Sequence, residues 1–182
     1  MIGLMLLLLA VWGFGNSMPM AIALVPTSPL AFLTAHQEAP GQVLYKSFNT
    51  FQDQYRHNWR AIAFNHSFPD GRHDFHLRLV GFPGSATVDR DRPLQLKTPL
   101  GRTFKAADTA TALFKPGEPA EPHVAQYDLQ PIAAQLPNWL PLRLSLPIAG
   151  DSDVRLLVGP RAVQEWQAVA LGDGAAIAWS EQ

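Results

Sequence analysis

From residue 43 onward the apolar positions recur mostly with a period of two, and residues 75–84, FHLRLVGFPG, carry the clearest instance. Phe75, Leu77 and Leu79 fall on one face and His76 and Arg78 on the other, as in a strand with one wet side. Val80 and Phe82 make the second face apolar too, which predicts that the far half of this strand is covered on both sides before Pro83-Gly84 ends it. Upstream, residues 43–50 and 58–66 form two alternating runs around the polar stretch 52–57, the pattern of a hairpin. In the second run Trp59, Ala61 and Ala63 oppose Arg60, Ile62 and Phe64, so a small-residue face is expected to pack closely on a neighbour. Pro69-Asp70-Gly71 supplies the next turn, and the three runs together predict an antiparallel meander.

Downstream of the charged connection 89–92, DRDR, Leu94 and Leu96 alternate with Gln95 and Lys97 up to a turn at Pro99-Leu100-Gly101. Residues 103–114 mix alanines that permit helix with threonines that resist it, and favour neither state. Residues 116–122, PGEPAEP, form a surface loop, because three prolines in seven residues are incompatible with a helix interior or a sheet ladder. Leu129, Ile132, Ala133 and Leu136 then fall at helical spacing, with Asp128 as a cap and Pro137 as a stop. Leu142, Leu144 and Leu146 mark another strand, residues 154–158 a further one, and Pro160 opens a second helix with Val163, Trp166 and Ala170 on one face. Gly172-Asp173-Gly174 ends it, and the apolar tail 175–179 returns to the sheet or docks against it. The expected fold is a mainly β (α+β) domain over residues 43–182: an antiparallel sheet forming a sandwich or flattened barrel, with two short helices in its C-terminal half.

The N-terminus breaks this pattern. Residues 2–14 are uninterrupted apolar residues, followed by the small-residue stretch Ala21-Ile22-Ala23. That layout predicts a secretory signal peptide over 1–23, with a linker over 24–42. No Lys or Arg precedes the apolar run, so an uncleaved N-terminal anchor is the alternative. Pro19, Pro26 and Pro29 break the apolar stretch that follows and prevent a regular second span.

Composition narrows the function classes. With 14 basic and 15 acidic residues, the composition predicts no electrostatic footprint for nucleic acid or strongly acidic lipid, and without cysteine there is no disulfide and no thiolate chemistry. Ten of the cations are Arg, spread singly along the sequence without forming a patch. Neither a phosphate-cradling glycine loop nor G-x-S-x-G is present. The densest polar constellation is His57, His66, His73 and His76 with Asp70 and Asp74. Imidazole and carboxylate suit zinc, copper or nickel, and His66, His73, His76 and Asp74 are the candidate ligands, although their spacing fits no strong metal motif. Ser67 and Ser85 are nucleophile candidates by proximity in sequence alone. The pairs Glu118 with Glu121 and Asp151 with Asp153 lie at loops, where solvated charge is the ordinary reading. Trp139, between Asn138 and Leu140-Pro141, is the tryptophan expected at a surface, where that residue marks binding hot spots.

Five strings, HQEAPGQVLYKS at 36–47, LRLVGFPG at 77–84, RPLQLKTPLG at 92–101, YDLQPIAAQLPNWLPLRLSLP at 127–147 and VQEWQ at 163–167, together resemble a family of small exported cyanobacterial proteins catalogued as a domain of unknown function. The resemblance covers most of the chain after the leader and implies delivery into the periplasm or thylakoid lumen. It carries no catalytic residue and no cofactor. The leading expectation is a non-enzymatic accessory or assembly protein that binds a membrane complex on that side, with Trp139, Glu118 and Glu121 as partner-binding candidates. A carrier of an apolar small molecule and a metal-dependent hydrolase built on His66, His73 and His76 are the alternatives.

Overall fold

A computed structural model of the chain describes residues 33–115, 118–150, 152–172 and 178–179. The elements in order are β1 (Leu33–Ala39), β2 (Gln42–Gln52), β3 (Asn58–Ser67), β4 (His73–Val80), β5 (Leu94–Lys97), β6 (Thr103–Ala106), β7 (Val124–Asp128), β8 (Leu142–Leu146), β9 (Val154–Val158), the helix α1 (Pro160–Leu171) and β10 (Ala178–Trp179). Six strands form one sheet in the order β10-β1-β2-β3-β4-β7, and four form a second in the order β6-β5-β8-β9. All neighbours are antiparallel except β1 and β10. The two sheets do not close on one another, so the architecture is a sandwich rather than a barrel.

Alternation decides which side of each strand is dry. On the large sheet Trp59, Ala61 and Ala63 of β3 and Phe75, Leu77 and Leu79 of β4 are buried; on the small sheet Leu94, Leu96, Leu142, Leu144, Leu156 and Val158 are. These side chains join Val163, Trp166 and Val169 of α1 in one core. The small-residue face of β3 leaves room for close packing, and Gly81 extends it: a Cβ there would stand 2.9 Å from the buried Trp59 ring. The helix starts at Pro160, whose missing N–H costs nothing in a first turn, and stops at Gly172, which adopts a left-handed φ of 63°.

Several segments differ from the pattern read along the sequence. Part of the expected linker, residues 33–39, is a strand, because Leu33 and Ala35 alternate into the core and the segment pairs with β2. The leader expected over 1–23 lies outside the described residues, as does most of the tail 175–179, of which Ala178–Trp179 pairs with β1. Phe82 is 75% exposed, since β4 ends at Val80 and the following residues turn away before they acquire a second cover. Residues 103–106 are a strand and Ala110–Leu113 a 3-10 turn. The helix expected near 128–136 shrinks to a 3-10 turn at Ala133–Gln135. Its backbone is drawn toward β4 instead: Leu129 N–H donates to the Phe75 carbonyl, and Gln130 Oε1 accepts from Phe75 N–H.

The β2–β3 hairpin is closed by Asp53, whose buried carboxylate accepts from the N–H groups of Tyr55 and His57 and from Trp59 Nε1. Burial alone would raise its pKa. The hydrogen bonds from His57, Tyr55 and Trp59, with the charge of His57, outweigh that and hold it below the ordinary carboxylate value.

Two outcomes follow for stability. Gly81→Ala should cost about 1–3 kcal/mol by overpacking against Trp59, read as a lower urea midpoint at unchanged slope. Because the folded Asp53 pKa is depressed, its stabilisation is present above the unfolded value and disappears as the pH falls through the folded one. Asp53→Asn should therefore be less stable than the parent near neutrality, with the gap closing below about pH 4. Urea midpoints across the acid range check this, and a gap that stays constant would refute it.

Candidate functional site

The β3–β4 register brings the histidine-rich stretches together but divides them between two faces. His66 lies opposite Asp74 and Phe64 opposite His76, which places His66, Asp74 and His76 on the face away from α1. There His76 Nε2 is 2.7 Å from Asp74 Oδ1, and His66 Nε2 is 3.4 Å from Glu38 Oε2 on β1. His73 stands three residues before His76, so the two-residue period turns it to the other face, where its Nδ1 lies 3.3 Å from Asn65 Nδ2. The expected ligand set of His66, His73, His76 and Asp74 is therefore split by the pleat. Among the described residues no group of three or more His, Asp or Glu side chains is arranged to hold a metal ion.

The remaining polar candidates are tied up locally. His57 Nδ1 is 3.3 Å from Asp53 Oδ2, and Asp70 Oδ2 accepts from Arg72 Nε at 2.6 Å. Ser67 sits across from His73 in the ladder. Ser85 shares an open cleft of about 900 Å³ with His57, Arg60 and Phe82, yet its Oγ donates to the Phe82 carbonyl at 2.6 Å and no hydrogen bond joins it to His57. This is not a nucleophile–base pair. Asp153 is held by Arg92 at 3.0 Å, and Asp151 lies outside the described residues.

The partner-binding candidates fall at different places. Glu118 and Glu121 are exposed on the loop that leads into β7; Glu121 Oε2 approaches His123 at 3.4 Å, and its carbonyl accepts from Arg90 Nη2. Trp139 lies on a separate turn between the short 3-10 segment and β8, 68% exposed, and neither glutamate lines its groove.

That turn is braced by α1. Gln167 Nε2 donates to the carbonyls of Leu136, at 2.8 Å, and Ala133, at 3.2 Å, while Gln167 Oε1 accepts from Asn138 Nδ2 at 2.9 Å. One turn earlier on the helix, Gln164 Nε2 donates to the Asn138 carbonyl at 3.0 Å. The residues 133–139 are thus fastened at three backbone carbonyls, those of Ala133, Leu136 and Asn138, by two side chains that share one helix face. Beside them opens a groove of about 670 Å³, lined by Leu136, Pro137, Trp139, Ala170 and Leu171 with amide groups between them. Among the described residues its one charged lining residue is Arg102, which donates to Gln135 Oε1 and stacks its guanidinium 4.5 Å from the Phe104 ring centre. Trp139 was legible in the sequence; the glutamine brace was not, although Gln164 and Gln167 at three-residue spacing were its available signal.

A buried polar group escapes the sequence entirely. Arg90 Nη1 approaches Asp108 Oδ2 at 3.6 Å, and these two atoms and Tyr127 Oη have no hydrogen-bond partner among the described residues. Burial raises the pKa of Asp108 against the pull of the Ala110 N–H and Arg90; burial, reinforced by Asp108, raises that of Tyr127. None of these residues lines the clefts described above, and Arg90 also donates to the Glu121 and Val124 carbonyls, a tie between the loop and β7.

Two antiparallel sheets, one packed helix and an apolar groove beside a braced, exposed tryptophan define a small β-sandwich protein with an open surface groove. The chain belongs to the family described as Protein of unknown function (DUF3122), whose model matches residues 31–169. No curated protein and no solved structure matches it.

Replacing Gln167 by Ala should release the turn while α1 stays seated. Amide exchange over residues 136–140 is expected to quicken about tenfold, with a global loss of only about 1–2 kcal/mol. Unchanged exchange in that window would mean the brace is not what orders Trp139.

Proposed function

We propose that this protein is an exported, non-enzymatic accessory or assembly factor that grips a subunit of a membrane complex on the periplasmic or thylakoid-lumen side, using the groove beside Trp139. The observation that carries the reading is the braced tryptophan: a large ring left 68% exposed on a turn fastened by Gln164 and Gln167. A solvent-facing aromatic that has already lost its backbone freedom forfeits little more on binding, which is the property of an interface anchor. The occupant best suited to the groove is an apolar extended segment with a carboxylate near Arg102. The apolar run at residues 2–14, followed by the small residues Ala21-Ile22-Ala23, supports the exported setting.

The carrier reading is less well supported, because it needs a cavity between the sheets. The four clefts described in this structure are open ones, and Leu77, Leu79, Leu96 and Leu144, all fully buried, line none of them.

Native mass spectrometry of the tagged protein from gently solubilised host membranes tests the proposal. A co-purified polypeptide in fixed ratio is expected, and Trp139→Ala should reduce its recovery at least tenfold while leaving the unfolding midpoint within about 0.5 kcal/mol of the parent. Undiminished capture by the variant rules out this groove, and a bound small mass in place of a polypeptide favours the carrier.

A further inference from the structure

The ladder of the four-stranded sheet gathers cations that look scattered along the sequence. Two cross-strand rows face solvent, Lys105–Gln95–Ser145–Arg155 and Thr103–Lys97–Arg143–Leu157. All four cations in them are exposed. These eight outward positions hold four of the chain's 14 cations and no carboxylate. None of the four forms a salt bridge among the described residues, and Asp153, two residues before Arg155, is already held by Arg92. Lys97 and Arg143 are direct cross-strand partners, an arrangement in which like charges repel across roughly 5 Å. In a chain of formal net charge −1, a face this uniformly basic is a marked segregation of charge.

We infer that this face docks on the surface of an anionic lipid bilayer. Its complement must be flat and negatively charged over the span of two rows of a sheet. Leu157, 65% exposed beside Arg143 at the end of its row, and exposed Leu100 in the turn after β5 add aliphatic side chains at the margins of the face, suited to the headgroup boundary. The eight positions carry no aromatic ring, so the face lacks the stacking platform of a single-stranded nucleic-acid site and the aromatic anchors of a protein hot spot. The inference is independent of the Trp139 groove, because a lipid vesicle contains no protein partner.

The test is co-sedimentation of the full chain with two kinds of vesicle: phosphatidylcholine alone, and phosphatidylcholine with about a third phosphatidylglycerol. The apolar N-terminal run binds both alike, so the readout is the ratio of anionic to neutral partitioning. A ratio of at least about tenfold is expected at low salt, falling toward unity near 1 M salt as the Debye length drops to about 3 Å. The double variants Lys97→Gln/Arg143→Gln and Lys105→Gln/Arg155→Gln should each lower the ratio about twentyfold or to unity, whichever comes first, while Lys115→Gln leaves it unchanged. The first pair removes a repulsion, so its unfolding midpoint should match or exceed the parent's, which separates lost binding from lost folding. Equal partitioning to both vesicles, a ratio insensitive to both double variants, or charge-dependent capture by heparin without any anionic preference among vesicles would each overturn the inference.

Discussion

The seating of α1 on the large sheet is the contact on which the rest of the molecule depends, and a buried carboxylate fixes it. Glu165 Oε2 accepts from Ser47 Oγ at 3.0 Å and Asn49 Nδ2 at 2.9 Å, and Trp166 Nε1 donates to Asn49 Oδ1 at 3.0 Å. Farther along the helix, Asn65 Nδ2 donates to the carbonyls of Val169 and Ala170 in the last turn, the first of which also accepts from the Gly172 N–H. Apolar packing would tolerate some sliding of a helix over a sheet; this carboxylate does not, because Arg161 on the same helix reaches only Oε1, and Oε2 would lose both of its donors while excluded from water. With α1 held at this rotation, Gln164 and Gln167 meet the 136–139 turn, and Trp139 receives a fixed position. The edge-to-face contact of Phe51 with Trp166, 6.3 Å between ring centres, fills the apolar part of the same joint.

The strands were the most legible part of the sequence, because each buried face leaves a period-two trace. β2, β3, β4, β8 and β9 stand close to where that trace places them. It misled at two places in the large sheet. β1 is mostly polar, so only Leu33 and Ala35 betray it, and Phe82 continues the apolar count after the backbone has already turned. The failed helix near Pro131 shows the limit of spacing as a guide. Leu129, Ala133 and Leu136 are all buried, as a helix would bury them, yet the segment is tied to Phe75 of β4, whose carbonyl accepts from Leu129 N–H and whose N–H donates to Gln130 Oε1.

Candidate chemistry was less legible, since it depends on register. His66, His73 and His76 are close in sequence, but one residue of parity separates His73 from the other two. Conversely Lys97 and Lys105 are far in sequence from Arg143 and Arg155, and the four meet only because β5 pairs with both β6 and β8, and β8 with β9. Trp139 could be read in advance because proline and asparagine neighbours already mark an exposed turn.

One turn belongs to both surfaces. Gly101 lines the cleft that contains Lys97 and Arg143, while the next residue, Arg102, lines the groove of Trp139; Pro141 and Trp139 repeat the arrangement two residues apart on the adjoining segment. The two surfaces are therefore joined by stretches too short to flex independently. A sheet resting on a flat anionic layer would hold the tryptophan groove at a set height and heading above it, so that capture becomes a search in two dimensions rather than three and the local concentration of a membrane-bound target rises accordingly.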